Sequence, residues 1–410
     1  MTSHRIEREF LLLSGMSVAY FIGGQILTPI LPLFFVEVGA SKVELGVIMA
    51  IPSLVAIASR IPLSTLMDRF GKWVVVILSS VVSIVAIAAY AFTYQVLWLY
   101  VIGVFNALSW VLYQPASMSL ALDLSPPNQR AESMGRYFMV IAATFLIGPL
   151  LASFLTLYLD FRSVFLLSVI PSVVGLLAVI LLGRIRLVRT EGTVSRYHIS
   201  LKDLRELFRI RQYWAVSVAS ATFWMATSVF GTLFSVYCEE RLLLTASAIS
   251  LLFAVRGLSN TLVRIPAGRI SDRIGRRRPV LAAYVMGSVV FWGLSEFSTV
   301  PLLMLVMFAY GLSWGMKVVS ETALLGDIVP SERRGVAMAV WQTIDDIGFV
   351  AGSLAAGAST LYMDAPSFFK IMSLVLILGI CIVVFLVRET AKSDRDFRNT
   401  DDTSTGGLSQ

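Results

Sequence analysis

"RIPLSTLMDRFGK", Arg60 to Lys72, returns as "RIPAGRISDRIGR", Arg264 to Arg276, 204 positions later. Each copy sets an Asp-Arg-x-Gly-basic turn between two long apolar runs: Asp68, Arg69, Gly71 and Lys72 in the first, Asp272, Arg273, Gly275 and Arg276 in the second. The same offset holds far outside the motif. Leu108-Ser109-Trp110 falls on Leu312-Ser313-Trp314, Asp123 on Asp327, Pro126 on Pro330, Arg130 on Arg334, Met134 on Met338 and Gly148 on Gly352. A register kept over so long a stretch implies two like halves, parallel repeats whose axis runs along a membrane normal.

Composition supplies the membrane. A 410-residue chain that is 57% hydrophobic and 14% charged, with mean hydropathy +0.80, has too little polar side chain to coat a soluble surface. Runs of roughly 20 apolar residues suffice to cross a bilayer as helix. Twelve candidate spans follow, at 10–36, 43–67, 73–93, 97–124, 132–159, 163–187, 212–238, 245–271, 279–297, 300–328, 335–361 and 366–388. No strand-like alternation competes with them, so the fold class is all-α integral membrane: two six-helix bundles, residues 1–187 and 212–390, joined by a basic linker at 188–211. Within that linker "SLKDLRELF" reads as a short amphipathic helix at the lipid surface. The polar tail, 391–410, has little to bury and is expected to be disordered.

Charge placement gives an orientation. Of the 33 basic residues, Lys42, Arg162, Arg241 and Lys370 fall on one side, and Arg60, Arg256, Arg264 and Lys317 lie within spans. All the others cluster on the opposite side, so positive-inside bias places both termini in the cytoplasm of a multi-pass cell-membrane protein. The pI near 9.5 then reflects contact with anionic inner-leaflet lipid, and no nucleic-acid partner is expected. The N-terminal run is too long for a signal peptide and lacks a small-residue cleavage site. Cys238, Cys381, His4 and His198 form no disulfide framework or metal spacing, and no cofactor is called for. A GxxxxGK[ST] phosphate loop is missing too, which removes ATP hydrolysis as an energy source.

The D-R-x-G-[KR] loop, its copy, and the two-by-six layout resemble the major facilitator superfamily, over the whole chain except linker and tail. "TPILP", Thr28 to Pro32, is similar to the P-x-x-P element of its twelve-span drug-exporter branches. The resemblance implies a cytoplasmic gate. Asp68 would contact the opposite half near the start of the eleventh span, and the motif's basic residues would pair with the acid ending the fourth, Asp123. Asp272, Arg273, Gly275, Arg276 and Asp327 would form the second copy. A topological anchor obeying positive-inside statistics fits the same charges. Four features depart from the family pattern. Ser64 replaces the motif's leading glycine, which Gly268 keeps in the second copy. Gln25 stands where exporters often carry an acid, and Gly103 where they often carry an arginine. "GPLLA" from Gly148 lacks one glycine of the antiporter element.

Charges at membrane depth mark the candidate site. Each costs about 2.5–3.5 kcal/mol at a helix centre, so Arg256, Lys317, Glu321, Asp345 and Asp346 must face protein or water. In the tenth span Tyr310, Trp314, Lys317 and Glu321 share one helical face; 204 positions earlier stand Asn106, Trp110, Tyr113 and Ser117. With Gln25, Arg256 and Asn260, these line a candidate substrate cavity between the halves, although interhelical packing with a Lys317–Glu321 pair explains the stripe as well. In the eleventh span Asp346 shares a face with Gln342 and Ser353, and Asp345 points toward Gly348 and Gly352. Asp346 is therefore the candidate proton-coupling acid, with Asp345 expected to pair internally and Arg256 on hand for either. The expected protein is a monomeric secondary transporter working by alternating access, coupling protons to export of amphiphilic, drug-like small molecules. Uptake of a small organic anion or sugar is the rival, and a solute sensor or scaffold the rival of another class. No histidine, cysteine or serine constellation suggests an enzyme.

Overall fold

The computed structural model describes residues 3–126, 130–182, 205–207, 209–330 and 333–389. Twelve long helices account for nearly all of them: α1 (Ser3–Glu37), α2 (Lys42–Phe70), α3 (Lys72–Ala91), α4 (Val96–Asp123), α5 (Arg130–Leu155), α6 (Phe161–Leu182), α7 (Arg211–Glu240), α8 (Ala246–Ile274), α9 (Arg277–Glu296), α10 (Val300–Ile328), α11 (Arg334–Ser359) and α12 (Ala365–Leu386). Eleven carry a described stretch long and apolar enough to cross a membrane. The exception is α11, expected from sequence as a span like the others. Arg334, Gln342, Asp345 and Asp346 dilute its apolar content, yet it packs inside the bundle against α7 and α2. The expected linker helix lies largely outside the described residues, as does the tail.

The repeat is visible in single interactions. Helices α2 and α8, α5 and α11, and α6 and α12 begin and end 204 residues apart. Ser41 caps α2, accepting from the Glu44 amide while the Glu44 carboxylate accepts from the Ser41 N–H, and Thr245 caps α8 by accepting from the Ala248 amide. Ser109 Oγ donates to the Ser79 carbonyl at 2.8 Å, and Ser313 Oγ donates to the Ala283 carbonyl at 2.7 Å. With no water at membrane depth, such hydroxyls and the helices' own ladders satisfy the polar groups.

Within each half, α1 packs on α5 and α6, and α7 on α11 and α12; α3 packs on α4, and α9 on α10. The halves meet where α5 lies on α8, α2 on α11 and α1 on α7. Close approach needs small residues there. A methyl on Gly257 of α8 would overlap the Phe145 carbonyl of α5, and one on Gly46 of α2 would meet the Ser353 carbonyl and Gly357 of α11. At the end of the bundle away from the two Asp-Arg-x-Gly turns, Lys42 pairs with Glu240 at 2.6 Å and Ser153 bonds Ser247 at 3.1 Å, again across the halves. Outward faces are apolar and open, as Val85, Leu305 and Phe385 show, each more than 60% exposed. That is the surface a lipid solvent favours.

Candidate functional site

The two charged turns fold alike. Gly71 and Gly275 take φ of 87° and 97°, a region costly for any residue with a Cβ, and so let α2 turn into α3 and α8 into α9 within one or two residues. Lys72 Nζ reaches Asp123 at 2.5 Å, and Arg276 Nε reaches Asp327 at 3.3 Å, so each turn is tied to the last turn of the helix after next. Arg276 also pairs with Asp272. Partial burial acts to lower the Arg276 pKa, and the bonds and charges of Asp272 and Asp327 outweigh it, for a net upward shift. Glu389, just past α12, accepts from the backbone N–H of Arg276 at 2.6 Å and of Arg277 at 3.2 Å, satisfying free amides at the start of α9. Arg69 lies over the Phe70 ring, and Arg273 is exposed. The Asp68 side chain lies outside the described residues.

At membrane depth the second half holds a closed charge cluster. Lys317 and Glu321 of α10 are 1% and 0% exposed. They pair at 2.7 Å, one turn apart. Lys317 also donates to Ser220 of α7 at 2.7 Å, and the Tyr284 hydroxyl of α9 donates to Glu321 at 3.0 Å. Asp345 of α11, also buried, interacts with the same ammonium and with Ser220. The rings of Phe223, Trp224 and Trp341 surround Lys317 at 5.4–5.5 Å from its Nζ. A buried ion pair is stable only when its remaining donors and acceptors find partners, and this one finds most of them.

Arg256 of α8 stands apart from that cluster. Its guanidinium carbon lies 5.0–5.4 Å from the ring centres of Phe230 of α7, Phe253 of α8 and Tyr310 and Trp314 of α10. Sequence left it on hand for Asp345 or Asp346, and among the described residues no carboxylate pairs with it. Asp345 lies near Lys317 and Ser220 with its Oδ1 unpartnered among the described residues, while Asp346 accepts a hydrogen bond from Ser53 of α2 across the halves at 3.1 Å. Asn260, one turn from Arg256, is fully buried, accepts from Arg264 through Oδ1, and holds its amide nitrogen against Gly315 of α10.

In the first half the matching positions are neutral. Tyr113 is fully buried, stacks on Tyr20 at 3.8 Å and donates to Ser17 at 2.9 Å. Trp110 is 39% exposed and meets Phe21 edge-on, and Asn106 is partly exposed. Gln25 is buried, accepts from Thr28 and lies against Gly148 of α5. Among these residues Trp314 reaches across the halves, edge-on to Phe145 of α5 at 5.4 Å. A separate groove of about 600 Å³ runs between α1 and α6, apolar except for Arg8, and none of the candidate residues lines it.

Sequence reading missed Ser53, Ser220, Tyr284, Phe230 and Phe253. It also missed Trp224 and Trp341, whose signal was present: they stand 204 residues after Tyr20 and Tyr137, which surround Tyr113 as the two tryptophans surround Lys317. Among the described residues no group of histidine, cysteine and carboxylate side chains could hold a metal ion.

The family model described as Major Facilitator Superfamily matches residues 13–245 and 238–406. The quinolone resistance protein NorA of Staphylococcus aureus is 22% identical over 385 residues, spanning 91% of this chain and 95% of that protein. A multi-drug resistance efflux pump PmrA homolog of Lactococcus lactis is 24% identical over 364 residues, 84% of this chain and 87% of that protein. Among solved structures, the nucleoside transporter NupG superposes with a TM-score of 0.78 at 14% identity, covering 92% of this chain and 98% of that one.

Proposed function

The chain belongs to the Major Facilitator Superfamily and is a multi-pass membrane transporter, and from that premise we propose that it exports amphiphilic, drug-like small molecules by alternating access, driven by protons. Two relatives named for drug resistance and efflux support the substrate class and direction. The observation that carries the reading is the aromatic seam between the halves, where Phe145, Trp314, Trp224 and Phe349 adjoin one another beside buried charge. A flat apolar solute is favoured by such rings, and the adjoining acids supply proton sites. Asp346 is the coupling acid in this proposal. Its bond to Ser53 spans the halves, so rocking the halves apart exposes it to water, and protonation weakens the bond that holds them. Asp345 lies enclosed beside the Lys317–Glu321 pair. The two Asp-Arg-x-Gly turns face the cytoplasm, with Lys72–Asp123 and Arg276–Asp327 bracing the gate on that side.

The test is flux in proteoliposomes under an imposed pH gradient, with a panel of fluorescent amphiphiles. Wild type should concentrate at least one against its gradient. Asp346→Asn should abolish accumulation while preserving downhill exchange. Undiminished accumulation by Asp346→Asn removes that acid from the coupling, and binding without any flux in wild type favours a sensor of the same fold.

A further inference from the structure

Arg256 is 91% buried at membrane depth, since only 9% of its surface is exposed, and no carboxylate among the described residues pairs with it. The second half's acids at membrane depth lie with other groups: Glu321 pairs with Lys317 and accepts from Tyr284, Asp346 accepts from Ser53, and Asp345 lies near Lys317 and Ser220 with its Oδ1 unpartnered among the described residues. The guanidinium has the Tyr310 hydroxyl as a polar neighbour, and that hydroxyl donates onward to Thr227 at 3.2 Å. Four aromatic rings offer cation–π attraction, but a ring has no lone pair in its plane for a guanidinium N–H. The box therefore holds a cation while leaving its strongest need, a planar anion, unmet.

A second observation comes from the indole nitrogens. Trp314 Nε1 and Trp224 Nε1 are both enclosed and have no hydrogen-bond partner. The two indoles stand edge to face at 6.4 Å, and Trp314 is also one wall of the Arg256 box, 5.3 Å from the guanidinium carbon. A buried donor without an acceptor carries its full desolvation penalty, so orphan N–H groups beside an unpaired cation form a site short of an acceptor. Trp314 extends that site to the other half through Phe145.

Resting on the transport reading above, we infer that the transported amphiphile carries a carboxylate, which binds between the Arg256 guanidinium and the Trp314 indole N–H while its attached ring lies along the Trp314–Phe145 seam. The carboxylate oxygens accept from the guanidinium fork and from Trp314 Nε1. The tail stays between the halves, where only aromatic surface meets it. In the first half the position equivalent to Arg256 is Pro52, so the site has a single copy despite the repeat, and the carboxylate has one orientation.

The test uses the full chain in nanodiscs and liposomes with three matched probes: a 6-alkoxy-2-naphthoate, its primary amide, and its trimethylammonium analogue. Equilibrium binding is read by quenching of tryptophan fluorescence and flux by naphthalene emission. Wild type should bind the carboxylate at least about tenfold more tightly than the amide, the scale of one charge-assisted hydrogen bond. Arg256→Gln should bring that ratio close to one. Arg256→Lys, which keeps the charge, should retain part of it and guards against misfolding of the Gln variant, while Trp314→Phe should lower carboxylate affinity alone. Equal binding of carboxylate and amide by wild type overturns the inference, as does an undiminished ratio in Arg256→Gln. Anion preference without flux of any probe sustains this site and defeats the transport reading; flux without preference does the reverse.

Discussion

Three residues fill the centre of each half at matched positions, and they do so with opposite chemistry. In the first half Tyr20, Tyr113 and Tyr137 gather around Ser17: Tyr113 stacks on Tyr20, and both Tyr113 and Tyr137 bond the Ser17 hydroxyl at 2.9 Å. In the second half Trp224, Lys317 and Trp341 stand 204 residues later, and the centre is an ammonium tied to Glu321 and Ser220. One backbone arrangement thus supports a neutral hydroxyl network on one side and a charge cluster on the other. The neutral half can be satisfied locally by any hydroxyl. The charged half depends on every partner at once, because at low dielectric an unpaired ion is far more costly than an unpaired hydroxyl. The turns teach the converse, since Lys72–Asp123 and Arg276–Asp327 keep the same ion pair in both halves, where exposure makes each one weak.

The strongest challenge to this comparison is to remove the centre of each half. Lys317→Met leaves Glu321 and Asp345 enclosed without their cation, and the expected cost is about 3–5 kcal/mol of stability. Tyr113→Phe loses one hydroxyl and should cost about 1 kcal/mol. Thermal unfolding in detergent measures both, and combining Lys317→Met with Glu321→Leu and Asp345→Asn should recover much of the loss. Equal shifts for the two single variants would mean that Lys317 does not hold the cluster together.

The second comparison concerns how the halves touch. Gly257 of α8 and Ser53 of α2 are matched positions, one a close backbone approach to α5 and the other a hydrogen bond to Asp346 of α11. Gly257→Ala drives a methyl into the Phe145 carbonyl, a backbone group that cannot swing aside, so α5 and α8 must part. The expected cost is about 1–3 kcal/mol in the state where they are packed, with a large loss of flux. Ser53→Ala should cost about 1 kcal/mol and slow flux modestly. Liposome flux beside unfolding temperature separates the two. Normal flux in Gly257→Ala would show that transport does not need this approach.

These positions also mark what sequence could and could not show. The 204-residue register and the apolar runs exposed the halves and the helix bounds, because both are patterns visible in one dimension, whereas the pairing of the turn's basic residues with Asp123 was implied only by the resemblance to the family. The Lys317–Glu321 pair was legible as one helical turn. The partner of Arg256 was not. Choosing between an acid on α11 and rings on α7 and α10 depends on helix rotation and neighbour order, which periodicity leaves open. Apolar content marked α11 as a span, but not which groups would meet its carboxylates, namely Ser220 and Lys317 near Asp345 and Ser53 on Asp346.

The smallest expected difference lies at the caps, where the halves should agree. Asp160 precedes α6 and Asp364 precedes α12, each three residues before a serine, Ser163 and Ser367. Hydrogen bonding from that serine is the chief cause holding each carboxyl below its ordinary value of 3.8. A depressed folded-state pKa contributes stability that is fully present above the unfolded value and is lost as pH falls through the folded one. Both caps should therefore hold at neutral pH and fail only in acid below the ordinary aspartate range. Replacing either aspartate by alanine should cost about 1 kcal/mol at neutral pH, by loss of the cap. Replacing both by asparagine keeps the acceptor oxygens and removes the titration, so the unfolding temperature of Asp160→Asn/Asp364→Asn should fall less steeply than wild type between pH 5 and 3. Asp364 has one further partner, Arg241 at 3.7 Å, and an exposed pair of that length adds little. Matched alanine effects at the two sites therefore support equivalence of the halves at their ends, and a clearly larger effect at Asp364 would extend the asymmetry of the centre out to the loops.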